Sequence, residues 1–171
     1  GSNTRAIIRR SSTVFGRLSS NTPGNRANSS VRSHRRTASS PVGGGIFVGT
    51  ATPYLISNSI IDGNGTNGSG GQGQGGGIFA FGPGGTGGNS FLTAVSVTLN
   101  AAPSDAGGIY TTQRIDINPG SLISGNTSGR FGGGLFVNHS GATSTISKAT
   151  ITGNSATTTG SGIYLGSSTA N

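Results

Sequence analysis

The chain has 171 residues, of which 34 are glycine, 30% are hydrophobic and 8% are charged. This composition excludes a helical bundle, because glycine is costly in helices and Ser, Thr and Asn compete for helical backbone hydrogen bonds. It also excludes disulfides and thiolate metal sites, since the chain has no cysteine. The formal net charge of +8 is of the kind found in nucleic-acid-binding proteins.

The positive charge lies in one segment, residues 1–42. This segment holds eight arginines and no acid, whereas residues 43–171 hold three basic and three acidic residues. It has no hydrophobic period and only one aromatic residue, Phe15, so no specific nucleic-acid binding is expected. We predict that residues 1–42 are disordered. The alternatives are an Arg- and Ser-rich targeting segment, or sequence translated out of frame upstream of the repeats.

Two motifs alternate from Gly43 onward. The first is of the type Gly-Gly-Gly-Ile-Phe, and its aliphatic positions lie 32, 31, 26 and 28 residues apart. They are Ile46, Ile78, Ile109, Leu135 and Ile163. The second is of the type Ile-Ser-Gly-Asn and ends on Asn64, Asn100, Asn126 and Asn154. Alternation at this period predicts a solenoid.

Short β-branched runs bounded by Gly and Asn turns lie between the motifs. No helical segment is present, which excludes leucine-rich, ankyrin and tetratricopeptide solenoids. Three short strands per cycle, each stacked about 4.8 Å from its equivalent, fit a parallel β-helix. The sequence therefore predicts an all-β, right-handed parallel β-helix of about four coils over residues 43–171, a fragment with uncapped ends.

The motifs assign structural roles in this fold. The aliphatic residues of the first motif point inward as one ladder, and Ile61, Val97, Ile123 and Ile151 form another. The glycines of the first motif allow a tight corner with positive φ. The four asparagines of the second motif are predicted to adopt the left-handed conformation at another corner. Their stacked amides are expected to hydrogen-bond along the axis as a structural ladder.

An aromatic residue follows the aliphatic position of the first motif in every coil. These residues are Phe47, Phe79, Tyr110, Phe136 and Tyr164. Strand alternation turns their side chains away from the core. Two hypotheses stay open: a ladder of rings shielded by loops, or an exposed platform that stacks on sugar rings or on another protein.

Groups with catalytic chemistry are few. Asp62 and Asp116 lie in strand-like runs of different cycles and Asp105 in a loop, and we interpret all three as solvated carboxylates. Polysaccharide-cleaving β-helix enzymes need clustered carboxylates. His34 and His139 are expected to be exposed, and no Ser/His/acid set stands out. The sequence therefore predicts no catalytic residue, no cofactor and no metal site.

The alternating Gly-Gly-Gly-Ile-Phe and Ile-Ser-Gly-Asn pattern resembles the right-handed parallel β-helix repeats of bacterial surface proteins, including polymorphic outer membrane protein-like and adhesin-like passengers. The resemblance covers residues 43–171. It implies a non-enzymatic extracellular or outer-surface scaffold, an adhesin or structural passenger. The implied partners are glycans or host or cell-surface proteins, with membrane association only through an anchor outside this chain. The alternative is a fragment of a carbohydrate-active β-helix enzyme, a polysaccharide lyase or hydrolase, whose catalytic residues lie outside this chain.

Overall fold

The computed structural model describes residues 42–49, 53–68, 71–82, 90–139 and 143–166, together with the backbone of residues 32–34. These residues form short strands joined by turns, and the paired strands run parallel. The chain winds into a parallel β-helix of about four turns. The fold predicted from the two alternating motifs is confirmed.

Fifteen strands lie in the described part of the chain. They are β1 (Arg32–His34), β2 (Ile46–Val48), β3 (Leu55–Asp62), β4 (Ile78–Ala80), β5 (Ser90–Thr98), β6 (Ala101–Ala102), β7 (Ile109–Thr111), β8 (Ile115–Ile117), β9 (Leu122–Ser124), β10 (Thr127–Ser128), β11 (Leu135–Val137), β12 (Thr145–Ile146), β13 (Thr150–Thr152), β14 (Ser155–Ala156) and β15 (Ile163–Leu165).

Three parallel sheets run along the axis. Sheet 1 has seven strands, β1, β3, β5, β8, β9, β12 and β13. Its long strands β3 and β5 each contain one residue with positive φ, Asn58 in β3 and Ala94 in β5. In the next two turns the strand is interrupted at the corresponding position, which gives the strand pairs β8–β9 and β12–β13. Sheet 2 stacks β6, β10 and β14, and sheet 3 stacks β2, β4, β7, β11 and β15.

The predicted aliphatic ladders form the core. In sheet 3, Ile78, Ile109 and Leu135 are paired in register and fully buried. Facing them from sheet 1, Ile61, Val97 and Ile123 are buried in the same cluster. Burying one such side chain contributes roughly 1.5–3 kcal/mol. Because a single turn cannot enclose these residues, their burial depends on stacked neighbours.

The corners differ from the prediction in one respect. The asparagines of the second motif do not have positive φ; the residue before each one does. These preceding residues are Gly63, Leu99, Gly125 and Gly153. The left-handed residue makes the turn, and the asparagine after it is left to pair with the next coil. The predicted positive φ of the first motif is present at Gly43, Gly75, Gly132 and Gly160, with Ala106 in the remaining turn.

Part of the basic segment joins the solenoid. Strand β1 pairs in parallel with the second half of β3, Arg32 opposite Ile60 and His34 opposite Asp62. The structure describes these three residues of the segment and Val42, which bridges Gln74. Residues 1–31 and 35–41 lie outside the described residues. Among the described residues, no helix is long and apolar enough to cross a lipid bilayer.

The Leu99 corner gives a test of the turn geometry. Leu99 has φ 53° and is 66% exposed, whereas its equivalents in the other turns are glycine. A non-glycine residue in this region costs about 1–2 kcal/mol. Because glycine adds unfolded-state entropy, we expect Leu99→Gly to gain up to about 1 kcal/mol. This gain corresponds to about 2–4 °C in the thermal unfolding midpoint followed by circular dichroism.

The matched control for this corner is Leu99→Ala. Alanine removes the exposed side chain but keeps a Cβ at positive φ, so no increase in midpoint is expected. An equal increase in both variants would contradict the role assigned to the backbone conformation.

Candidate functional site

The corner asparagines form a continuous hydrogen-bond ladder along the axis, as predicted. The Nδ2 groups of Asn64, Asn100 and Asn126 donate to the Oδ1 of the next asparagine at 3.0, 2.9 and 2.9 Å. Their backbone N–H groups donate to the same oxygens at 2.9, 3.0 and 3.0 Å. Asn100 Nδ2 also donates to the carbonyl of Ile61 at 3.0 Å. Asn100 thus uses both amide hydrogens and both oxygen lone pairs.

One glycine in each of the first four copies of the first motif makes room for this ladder. A Cβ on Gly77 would lie 2.9 Å from Asn100 Nδ2 and 2.7 Å from the carbonyl oxygen of Gly108. A Cβ on Gly134 would lie 2.8 Å from Asn154 Nδ2. The two alternating motifs are therefore partners in space, since the glycines of one lie against the asparagines of the other. The two motifs recur together in the sequence because each of these glycines has to pack against an asparagine.

The aromatic residues of sheet 3 form a second ladder on the side of the strands opposite the core. Phe79 and Tyr110 stack with ring centroids 5.1 Å apart and planes 9° apart, and Tyr110 and Phe136 stack at 4.9 Å and 16°. Phe47 continues the stack beyond Phe79 at 5.5 Å, and Tyr164 follows Phe136 at 5.0 Å with a tilt of 32°. The rings from Phe47 to Phe136 stack face to face, and Tyr164 adds a tilted ring at the end of the stack.

This stacking decides between the two hypotheses for the aromatic ladder. Phe79, Tyr110 and Phe136 are buried, in a cluster that includes Ala106 and against which Phe131 packs. Their ring faces are covered by neighbouring rings and are not available to a sugar ring. The shielded ladder is the arrangement found at these three positions. Phe47, at the first rung, is 37% exposed, and Tyr164, at the last rung, is half-buried.

The three carboxylates are bonded within the protein, and the interpretation of all three as solvated is wrong for Asp105 and Asp116, which are buried. Asp105 accepts two hydrogen bonds from Arg130, at 2.8 and 2.6 Å, and this pairing raises the pKa of Arg130. Asp116 accepts the backbone N–H of Thr145 at 3.1 Å. The sequence places Asp105 in a loop and does not predict that Arg130, one turn away, binds its carboxylate.

Asp62 is half-buried on the outer face of sheet 1 and accepts the hydroxyl of Thr98 at 2.6 Å. Within the described part of the chain, no three His, Cys, Asp or Glu side chains lie close enough to hold a metal ion. The three acids lie in different turns and are not brought together at one place.

His139 is half-buried and not exposed as expected. Its Nε2 lies 2.8 Å from the hydroxyl of Ser144, which also accepts the backbone N–H of Ile115 at 3.1 Å. Its Nδ1 has no hydrogen-bond partner among the described residues. Burial lowers the pKa of His139, and the nearby charge of Arg114 lowers it further. The side chain of His34 lies outside the described residues.

The outer surface carries two rows of small side chains that flank the asparagine corner. Asp62, Thr98, Ser124 and Thr152 stand in register on sheet 1. Ala101, Thr127 and Ser155 stand in register on sheet 2 and are exposed. The sequence does contain a signal for these rows. A polar residue precedes the turn residue in every second motif, and a small residue follows every asparagine.

An open groove of about 460 Å³ lies over sheet 2. Its lining includes Ala101, Pro103, Thr127, Gly129 and Thr157. Thr66 and Ser128 also line it, and their buried hydroxyl oxygens have no hydrogen-bond partner among the described residues. We call this feature the sheet 2 groove. It is shallow, runs across several turns and is lined by small and hydroxyl-bearing side chains.

Comparison of the chain with known protein families, with characterised proteins and with solved structures finds no match.

The asparagine ladder predicts a large effect of one substitution. Asn100→Ala removes the partners of Asn64, Asn126 and the carbonyl of Ile61. Each buried group left without a partner costs roughly 1–3 kcal/mol. We expect a loss of at least about 2 kcal/mol, measured by urea unfolding. Asn67→Ala, at an exposed asparagine in an adjoining turn, is the matched control and should cost little. Equal losses would contradict the ladder.

His139 predicts a pH dependence of stability. Because its pKa in the folded protein is below the ordinary value of 6.5, the unfolded chain binds the proton more readily. This contribution to stability is present above pH 6.5 and is lost as the pH falls through the folded pKa. Unfolding midpoints at several pH values should therefore fall more steeply on acidification in the wild type than in His139→Gln. Parallel curves would contradict the prediction.

Proposed function

We propose that this chain is a non-enzymatic scaffold at an extracellular or bacterial outer surface, acting in adhesion or as a structural passenger, as its resemblance to adhesin-like repeats implies. The observation that carries the proposal is the difference between inner and outer repeat positions. The aliphatic, aromatic and asparagine positions contact each other along the axis. The outer rows, by contrast, carry mostly small polar side chains at regular intervals, and those of Thr127, Thr152 and Ser155 are exposed.

The sheet 2 groove supports a linear, polar ligand. It is open along the axis and crosses turns that repeat about every 4.8 Å. Thr127 and Thr157 are exposed and line the groove. Hydroxyl groups both donate and accept hydrogen bonds, which suits a ligand that itself carries many hydroxyls. A polysaccharide chain has this chemistry.

The charge of the repeat favours a neutral polysaccharide. Residues 43–171 carry three basic and three acidic residues, so they have no net charge. Arg130 and Arg114 are each paired with an aspartate. A shallow groove makes weak individual contacts, and adhesion through such contacts depends on many copies acting together. A host or cell-surface protein is less suited to this groove, because its lining among the described residues has no aromatic side chain, the type that is enriched in protein interfaces.

The alternative function keeps the same ligand class. A fragment of a polysaccharide lyase or hydrolase would use the groove to hold the polysaccharide and would cleave it with residues outside this chain. Clustered Asp and Glu side chains on one face of a longer chain would favour the enzyme.

Retention on immobilised neutral polysaccharides tests the proposal. We expect the purified chain to bind at least one of cellulose, chitin or starch. Thr127→Arg, which places a long charged side chain in the groove, should reduce the retained fraction by about tenfold, equivalent to about 1.4 kcal/mol. Thr150→Arg alters an exposed threonine on sheet 1 and should leave retention unchanged.

Two results would contradict the polysaccharide proposal. One is the absence of retention on every neutral polysaccharide. The other is an equal loss in the two threonine variants, because this would indicate a charge effect independent of the groove.

A further inference from the structure

The two ends of the described solenoid are offset in a complementary way. At the C-terminal end, sheet 3 reaches one turn further than sheet 1, because β15 follows β12 and β13 and pairs only with β11. At the N-terminal end, sheet 1 reaches one turn further than sheet 3, because β1 precedes β2 and pairs with β3. Each end of the described structure therefore carries one part of an additional turn.

The C-terminal end exposes core positions. Ile163 is 39% exposed and Leu165 is 71% exposed, whereas Leu135 and Val137 in the turn before them are buried. Ile146 of sheet 1 is 42% exposed at the same end. These residues surround a cavity of about 270 Å³. The outer edges of β13 and β15 have no strand partner among the described residues. Apolar side chains beside unpaired strand edges form a surface suited to strand addition.

The N-terminal end has the matching chemistry. Ile46 and Phe47 of β2 occupy the same repeat positions as Ile163 and Tyr164 of β15. Ile46 is only partly buried, and Phe47 is 37% exposed although it stacks on Phe79. Every neighbouring pair of turns inside the chain places an aliphatic residue on an aliphatic residue and a ring on a ring. The two ends can repeat that arrangement.

We propose that a second copy of this chain docks head-to-tail on the C-terminal end. In this complex, β2 of the second copy pairs in parallel with β15, with Ile46 opposite Ile163 and Phe47 opposite Tyr164. Strand β1 of the second copy pairs with β13. The turn between the two copies then consists of β15 from one copy and β1 from the next.

The register follows from the pairings inside one chain. Residues Ile60–Asp62 of β3 align through β5 and β9 with Thr150–Thr152 of β13. Arg32–His34 of β1 pair with Ile60–Asp62, so the same backbone positions place β1 of the second copy on β13. The contact is heterologous, because different surfaces meet. A heterologous contact that does not close into a ring produces a linear filament.

Sedimentation velocity of the full chain over a range of concentrations tests this proposal. The wild type should grow into species larger than a dimer as the concentration rises. Leu165→Lys, at an exposed position of the C-terminal end, should remain monomeric. Leu99→Lys is the matched control, because Leu99 is also a leucine and is 66% exposed but lies at a side corner. It should assemble like the wild type.

A mixing experiment identifies the head-to-tail arrangement. Phe47→Lys should block the N-terminal end and remain monomeric, with circular dichroism confirming that the β-helix is retained. An equimolar mixture with Leu165→Lys leaves one intact N-terminal end and one intact C-terminal end. It should form heterodimers and nothing larger.

Three results would overturn the proposal. A wild type that stays monomeric at all concentrations would indicate that the chain's own residues 1–31 or 167–171 cover the ends. Dimers of Phe47→Lys alone would indicate that two C-terminal ends meet. Assembly of Leu165→Lys as extensive as that of the wild type would indicate a contact elsewhere on the surface.

Discussion

The hydrogen-bond ladder of Asn64, Asn100, Asn126 and Asn154 is the interaction on which the rest of the structure depends. A buried primary amide that lacks partners costs more free energy than its own hydrogen bonds return. Asn100 and Asn126 obtain their partners only from the turns on either side. The ladder therefore holds each turn at one height and one register, and a slip by one residue would break several bonds at once.

The other features of the repeat follow from this constraint. The left-handed residue before each asparagine turns the chain so that the amide can point along the axis. The glycines opposite it leave room for the amide group, and the strands on either side then place aliphatic residues in the core and rings outside it. Since these positions contact each other along the axis, the ligand recognition that we propose falls to the outer rows, the groove and the two ends.

The sequence alone predicted those features that repeat. The spacing of the Ile/Leu positions predicted the stacked strands of sheet 3, and the asparagines predicted the amide ladder. The sequence did not predict whether the aromatic residues are exposed. Alternation along a strand predicts the face on which a side chain lies, but it does not predict what packs against that face. Pairing across turns was also invisible: Arg130 and Asp105 are 25 residues apart, and neither belongs to a motif. The sequence analysis assigned positive φ to the asparagine of each corner, whereas the residue before it has positive φ. The two positions could not be distinguished because both glycine and asparagine tolerate positive φ.

Proton exchange of the asparagine side-chain amides tests the central role of the ladder most directly. If the ladder holds the turns together, the Nδ2 protons of Asn100 and Asn126 are buried and bonded on both sides, so NMR should find them strongly protected. Those of the exposed Asn67 should exchange at the rate of a free amide. Rates for Asn100 and Asn126 as fast as that of Asn67 would show that the ladder does not hold the turns together.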